Sequence, residues 1–166
     1  MSFSTFSDKL TPEQVAMIPF FNGLEDDELQ DLSGFLKVRK FTKAQCVIAE
    51  GDKAESMYFI LEGSVQIHKQ SYEGSNELIG TLSKPEFFGE MVFLDGEARS
   101  ASIVAESDMV VAELLWENFQ QAFSHKPELI IYVLINIAKT LSLRLRNSNA
   151  LYANLVQNLR NISMLV

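Results

Sequence analysis

The sequence predicts a mainly β domain, an antiparallel barrel or sandwich, with short helices before it and one long helix after it. The apolar period changes from helical to alternating at Leu36 and returns to helical at Trp116. Between these points, short apolar segments follow one another at spacings of roughly 8–12 residues, separated by turn residues. From Glu128 to Val166 no Gly or Pro interrupts the chain. The 166 residues suffice for one domain with a real core.

Each element follows from local signals. Thr11-Pro12-Glu13 is a helix-capping pattern with Pro12 at the first helical position. Asp26, Asp27 and Glu28 place acids in a first turn, where they complement the helix dipole, and Gly34 is a stop signal. Strands are expected at 37–42, 46–49, 57–61, 64–68, 77–82, 101–105 and 109–115, with turns at 50–52 and 62–63 and a hairpin loop at 72–76. Residues 116–123 form a short amphipathic helix, and Pro127 opens the last one. That helix could run about 35 residues, or about 50 Å.

The last helix carries an a/d stripe. Leu134, Ala138, Leu141, Leu145, Ser148, Tyr152, Leu155, Leu159 and Ile162 alternate in steps of four and three. Its first part can lie on its own barrel. Beyond Leu145 the barrel should run out, so a partner helix is the better account, and a parallel homodimer is expected. The domain boundaries expected are 1–17 for an N-terminal segment, 18–124 for the barrel and 125–166 for the dimerisation helix.

Composition excludes several classes. Lys and Arg number 14 against 22 Asp and Glu, a net charge of −8. Only Glu128 among the acids lies beyond residue 124, so the bulk of the chain is strongly acidic and the tail sparsely basic. An acidic bulk repels nucleic acid, and no clustered basic face accompanies it. No stretch is long and apolar enough to span a membrane, and Met1 to Leu10 lacks the pattern of a signal peptide. Cys46 is alone, which suits a reducing cytoplasm, and reads as a core residue. His68 and His125 have no ligand-like spacing, and no nucleophile has an evident His partner, so neither a metal site nor catalysis is expected.

The informative stretch is Phe87 to Ile103. One helical turn between Gly89 and Gly96 interrupts the strand pattern. Arg99 is the only basic residue between Lys84 and Lys126, and Glu86, Glu90, Asp95, Glu97, Glu106 and Asp108 surround it in sequence. Charge alone favours a structural salt bridge for Arg99. The alternative is an anion site, in which a guanidinium fork and helix-start N–H groups hold a phosphate. Gly89 would let the backbone approach a ligand, and Ser100 would add a hydroxyl.

Gly89-Glu90-Met91-Val92-Phe93-Leu94 followed by Ala98-Arg99-Ser100-Ala101-Ser102 resembles the phosphate-binding cassette of the cyclic nucleotide-binding domain family. Phe41, Ile48, Glu50-Gly51-Asp52, Tyr58 to Leu61 and Gly63 are similar to that family's early strands and turns, so roughly residues 18–146 are covered. The resemblance implies a β-roll or jelly-roll barrel with N-terminal helices and a long C-terminal helix. It implies that Arg99 pairs with the cyclic phosphate, and that Glu90 accepts from the ribose 2′-hydroxyl. The backbone N–H groups of Val92 and Ser100 and the Ser100 hydroxyl would complete the cradle. In catabolite-activator relatives, polar residues of the long helix reach the base; Ser148 and Asn149 occupy that region here. Ala98 stands where most members have Pro, which should loosen the approach to Arg99.

The implied ligand is cAMP, with cGMP undecided, and no cofactor is needed. Related activators carry a helix-turn-helix after this helix, for which a chain stopping at Val166 leaves no room. The expected output is therefore ligand-dependent movement of the last helix, read by an unknown downstream protein or by the dimer. The alternative is a ligand-independent homodimeric interaction domain with a degenerate nucleotide site.

Overall fold

In a computed structural model the chain is described over residues 6–163, the side chains of Ala122, Ile162 and Ser163 excepted. Two helices open it: α1 (Pro12–Ala16) and α2 (Asp26–Phe35), with a 3-10 turn at Pro19–Phe21 between them. Thr11 caps α1, its hydroxyl accepting from Gln14 N while the Gln14 side chain accepts from Thr11 N. α2 runs through Gly34, because the helix continues one residue before Leu36 turns extended.

Eight strands follow: β1 (Leu36–Phe41), β2 (Cys46–Ile48), β3 (Ser56–Glu62), β4 (Ser64–Gln70), β5 (Asn76–Ser83), β6 (Phe87–Phe88), β7 (Ser102–Ala105) and β8 (Met109–Leu115). They form two four-stranded sheets, ordered β1-β8-β3-β6 and β2-β7-β4-β5, with antiparallel pairing throughout. The expected barrel is thus a β-roll of two sheets. Its inner core draws on both: Ile48, Val65, Leu82, Ile103 and Ala105 from one, Tyr58, Ile60, Phe88, Met109 and Val111 from the other.

β3 and β8 are buried at almost every position, which is why their sequences read as continuous apolar runs rather than as an alternation. Tyr58 and Ile60 face the inner core. Phe59 faces the other way, its ring 5.1 Å from Phe20 and 4.8 Å from Phe21. The 3-10 turn between the N-terminal helices therefore covers the outer face of this sheet with aromatic rings. β6 is only two residues long, too short to show a period, and the sequence reading does not contain it.

Two tight turns shape the roll. Gly63 joins β3 to β4 at φ +85°, and a Cβ there would lie 2.6 Å from the Asp108 carbonyl oxygen. The β4–β5 hairpin closes with Gly74 N donating to Ser71 O at 3.0 Å, as the loop at 72–76 requires. Cys46 is exposed rather than in the core, because it opens β2 with its side chain outward. Two helices end the chain: α3 (Trp116–Ala122) and α4 (Pro127–Ser163), the latter 37 residues long.

The chain divides into two compact units at Ile130–Ile131, the second being the body of α4. On that helix, Leu145, Tyr152, Leu155 and Leu159 of the expected stripe are 61, 69, 55 and 58% exposed, and Ser148 is exposed too. The Ile162 side chain lies outside the described residues. No helix among the described residues is long and apolar enough to cross a membrane.

Phe59 is 1% exposed at the centre of the aromatic cluster. Phe59→Ala should lower stability by about 3–5 kcal/mol in urea denaturation, through lost burial plus a cavity. A loss below about 1 kcal/mol would contradict this packing.

Candidate functional site

The site is built on the connection from β6 to β7. Phe88 ends β6 inside the core, and Gly89 then takes φ +76°, which turns the chain into a 3-10 turn at Glu90–Phe93. A Cβ at Gly89 would sit 2.8 Å from Arg99 Nη1 and 3.1 Å from the Ser56 carbonyl oxygen. Glycine is thus favoured by the left-handed conformation, and its lack of a side chain leaves the guanidinium and the Ser56 carbonyl their present positions. Val92 and Phe93 are buried and anchor the turn. The Phe93 ring is 4.8 Å from Trp116 and 5.5 Å from Phe119.

The far end of the connection is pinned by backbone. Arg99 N donates to Asp52 O and Gly51 N donates to Arg99 O, each at 2.9 Å. The Glu50-Gly51-Asp52 turn and Arg99 are therefore one structural unit. Side chains reinforce it. The Ser102 hydroxyl accepts from Glu50 N at 3.0 Å, and Lys69 Nζ donates to Glu50 Oε1 at 2.6 Å and to Ser100 O at 2.7 Å. Hydrogen bonding from Lys69, helped by Gln70 N, holds the Glu50 carboxyl below the usual range. The Ser100 hydroxyl donates to Met91 Sδ at 3.4 Å, which ties the two ends of the cassette together.

Arg99 is the centre. No ion pair of Arg99 occurs among the described residues, although acids crowd it in sequence. Its Nη1 donates to Gly89 O at 3.2 Å and its Nη2 to Ser56 Oγ at 3.3 Å. The guanidinium lies 6.0 Å from the centre of the Tyr58 ring, which itself stacks on Phe88 at 5.2 Å. Burial lowers the Arg99 pKa, opposed by Tyr58, Glu113, Asp52 and Glu55. A half-buried cation with no carboxylate in contact among the described residues has the chemistry to hold an anion. A guanidinium has five N–H donors, of which the contacts to Gly89 and Ser56 use two. It borders a cavity of 260 Å³ lined by Asp52, Glu55, Ser56, Tyr58 and Glu113.

The sequence-predicted residues fall into two groups. Gly89, Glu90, Met91, Val92, Arg99, Ser100 and Ala101 come together in the first unit, on one connection. Glu90 is 4% exposed, and Met91 and Ser100 are exposed at the surface of the cassette. Ser148 and Asn149 belong to the second unit, exposed on α4, and are not among the residues the first unit gathers at the cassette. Sequence reasoning did not single out Ser56, Tyr58, Glu113, Glu50 or Lys69 as a set. One signal was present: Glu113 is a lone acid inside the apolar run Val110 to Leu115, and a buried acid needs partners. Among the described residues, no group of three or more His, Cys, Asp or Glu could hold a metal ion.

Comparison with known proteins identifies the family. The family model described as the cyclic nucleotide-binding domain matches residues 38–126. The chain is 29% identical over 131 residues to the cAMP-activated global transcriptional regulator CRP of Pasteurella multocida, covering 78% of this chain and 61% of that one. The chain thus spans less than two thirds of this relative's length. A crystal structure of a cyclic nucleotide-binding domain from Methylobacillus flagellatus superposes with a TM-score of 0.72 at 28% identity, over 82% of this chain and 76% of that one. A mutant regulatory subunit of a cAMP-independent protein kinase A from Trypanosoma brucei, bound to cAMP in its A site, gives 0.67 at 27% identity, over 77% and 44%. With more than half of its residues matched by the family model, and with the two-sheet β-roll in place, the chain belongs to the cyclic nucleotide-binding domain family.

Proposed function

We propose that this chain is a regulatory sensor whose ligand is a cyclic nucleotide, cAMP in the first instance, held at the Gly89–Ala101 cassette. The observation that carries this reading is the half-buried Arg99 guanidinium, bound to Gly89 O and Ser56 Oγ but to no carboxylate among the described residues. A cyclic phosphodiester carries one negative charge, which matches one guanidinium. Arg99 binds the phosphate through its remaining donors, and the Ser100 hydroxyl and cassette N–H groups complete the cradle. Buried Glu90 accepts from the ribose 2′-hydroxyl. Ser148 and Asn149 are the candidates for contact with the base, and cGMP is the competing ligand.

The output in this reading is movement of α4, since a ligand shifts an equilibrium only through different contacts in the two states. The sensing part is 18–124 and the output part 125–166. The 55–69% exposure of Leu145, Tyr152, Leu155 and Leu159 supports a parallel homodimer along α4, working in the cytoplasm on a downstream protein. The same stripe also favours a second reading, a ligand-independent dimeric interaction domain. A thermal-shift series with cAMP and cGMP separates the two, because only a sensor gains stability from ligand.

Calorimetric titration with cAMP should show binding by the unaltered chain. Arg99→Ala should weaken it at least about a hundredfold, the result of losing charge-assisted hydrogen bonds, and Glu90→Ala about tenfold or more. Unchanged affinity in both variants would refute the site. Light scattering should give a dimer, and the pair Tyr152→Glu with Leu155→Glu should give a monomer. A monomer before substitution would refute the α4 seam.

A further inference from the structure

We infer that Glu113, acting through Tyr58 and Ser56, is a positioning residue that aims the Arg99 guanidinium at the cassette. The consequence for ligand affinity rests on the cyclic nucleotide reading; the relay itself does not. Four groups stand in line. Arg99 Nη2 donates to Ser56 Oγ at 3.3 Å, Ser56 Oγ donates to Tyr58 Oη at 3.0 Å, and Tyr58 Oη donates to Glu113 Oε1 at 3.1 Å. At the far end Arg39 Nε donates to Glu113 Oε2 at 2.9 Å.

The chemistry gives this line one direction. A carboxylate only accepts, so it obliges the Tyr58 hydroxyl to donate. The Tyr58 oxygen is then left to accept from Ser56, and the Ser56 oxygen presents its lone pairs to Arg99. Each hydroxyl donates once and accepts once, and hydrogen bonds in series strengthen one another. Ser56, Tyr58 and Glu113 are all buried, though they border the 260 Å³ cavity, so losing one hydroxyl leaves its neighbours without a fixed protein partner. The Tyr58 ring is fixed by stacking on Phe88. Arg99 is thereby held at two points, the cassette at Gly89 O and the barrel wall at Ser56. Without the Ser56 acceptor, a desolvated guanidinium gains by turning toward solvent. Arg39 keeps the Glu113 charge paired near the surface, so the relay does not leave a bare carboxylate in the core.

The test starts on the ligand-free full chain. Guanidinium nitrogen NMR should resolve the two Arg99 Nη groups, because both are anchored. Tyr58→Phe, which keeps the ring and removes the hydroxyl, should average them, and Ser56→Ala should do the same. Circular dichroism checks that each variant folds. In calorimetry Tyr58→Phe should weaken cAMP binding about five- to tenfold, but less than about twofold in an Arg99→Lys background. Averaged Nη signals in the unaltered chain, no response to either substitution, or an equal loss in both backgrounds would overturn the relay. Resolved Nη signals that collapse in Tyr58→Phe, in a chain that does not bind cAMP, would uphold the relay and remove the ligand reading instead.

Discussion

A guanidinium half out of water imposes most of the local structure around it. Burial disfavours the Arg99 charge, and the surroundings offset this with neutral acceptors in contact and with carboxylates at one remove. A carboxylate in direct contact would neutralise the cation and remove its use for a phosphate. The cassette follows from this constraint. Residue 89 favours Gly because its backbone is left-handed at φ +76°, and the Arg99 backbone is clamped to the Gly51–Asp52 turn so that the side chain starts from a fixed point.

The barrel supplies the rest. β3 and β8 are buried on both faces, one against the inner core and one against the helices. Such strands tolerate polar groups only where these satisfy one another. Ser56, Tyr58 and Glu113 do so, and lie on these two neighbouring strands. The outer face meets the Phe20 and Phe21 rings, so rigid packing stands directly behind the polar line.

The fold was legible where period and punctuation were strong. The capping pattern at Thr11, the Gly63 turn and the uninterrupted run after Pro127 each mark an element that the structure contains. Two-residue β6 has no period to read. Cys46 was misread because cysteine is so often buried, whereas its position at the start of β2 points it outward. At the site, Arg99 stood out as a lone base among acids, and resemblance to a cassette added its neighbours. The Ser56–Tyr58–Glu113 line was hidden, because its members are 57 residues apart in the chain and meet only through β3–β8 pairing. Lys69, on β4, reaches Ser100 across 31 residues of sequence. Pairings of this kind depend on register, and register is not visible in one strand at a time.

The central claim is that Arg99 and Glu90 divide one small ligand between them, charge to phosphate and carboxylate to sugar. The chain carries a net charge of −8, so in this reading the cation that meets the ligand is the half-buried Arg99 rather than a broad basic surface. A crystal structure of the chain with cAMP tests this most directly. The account predicts a phosphate oxygen within hydrogen-bond distance of the Arg99 guanidinium and the Ser100 hydroxyl, with the ribose 2′-hydroxyl on Glu90. A nucleotide bound away from the cassette, or seated there with its phosphate turned from Arg99, would contradict it.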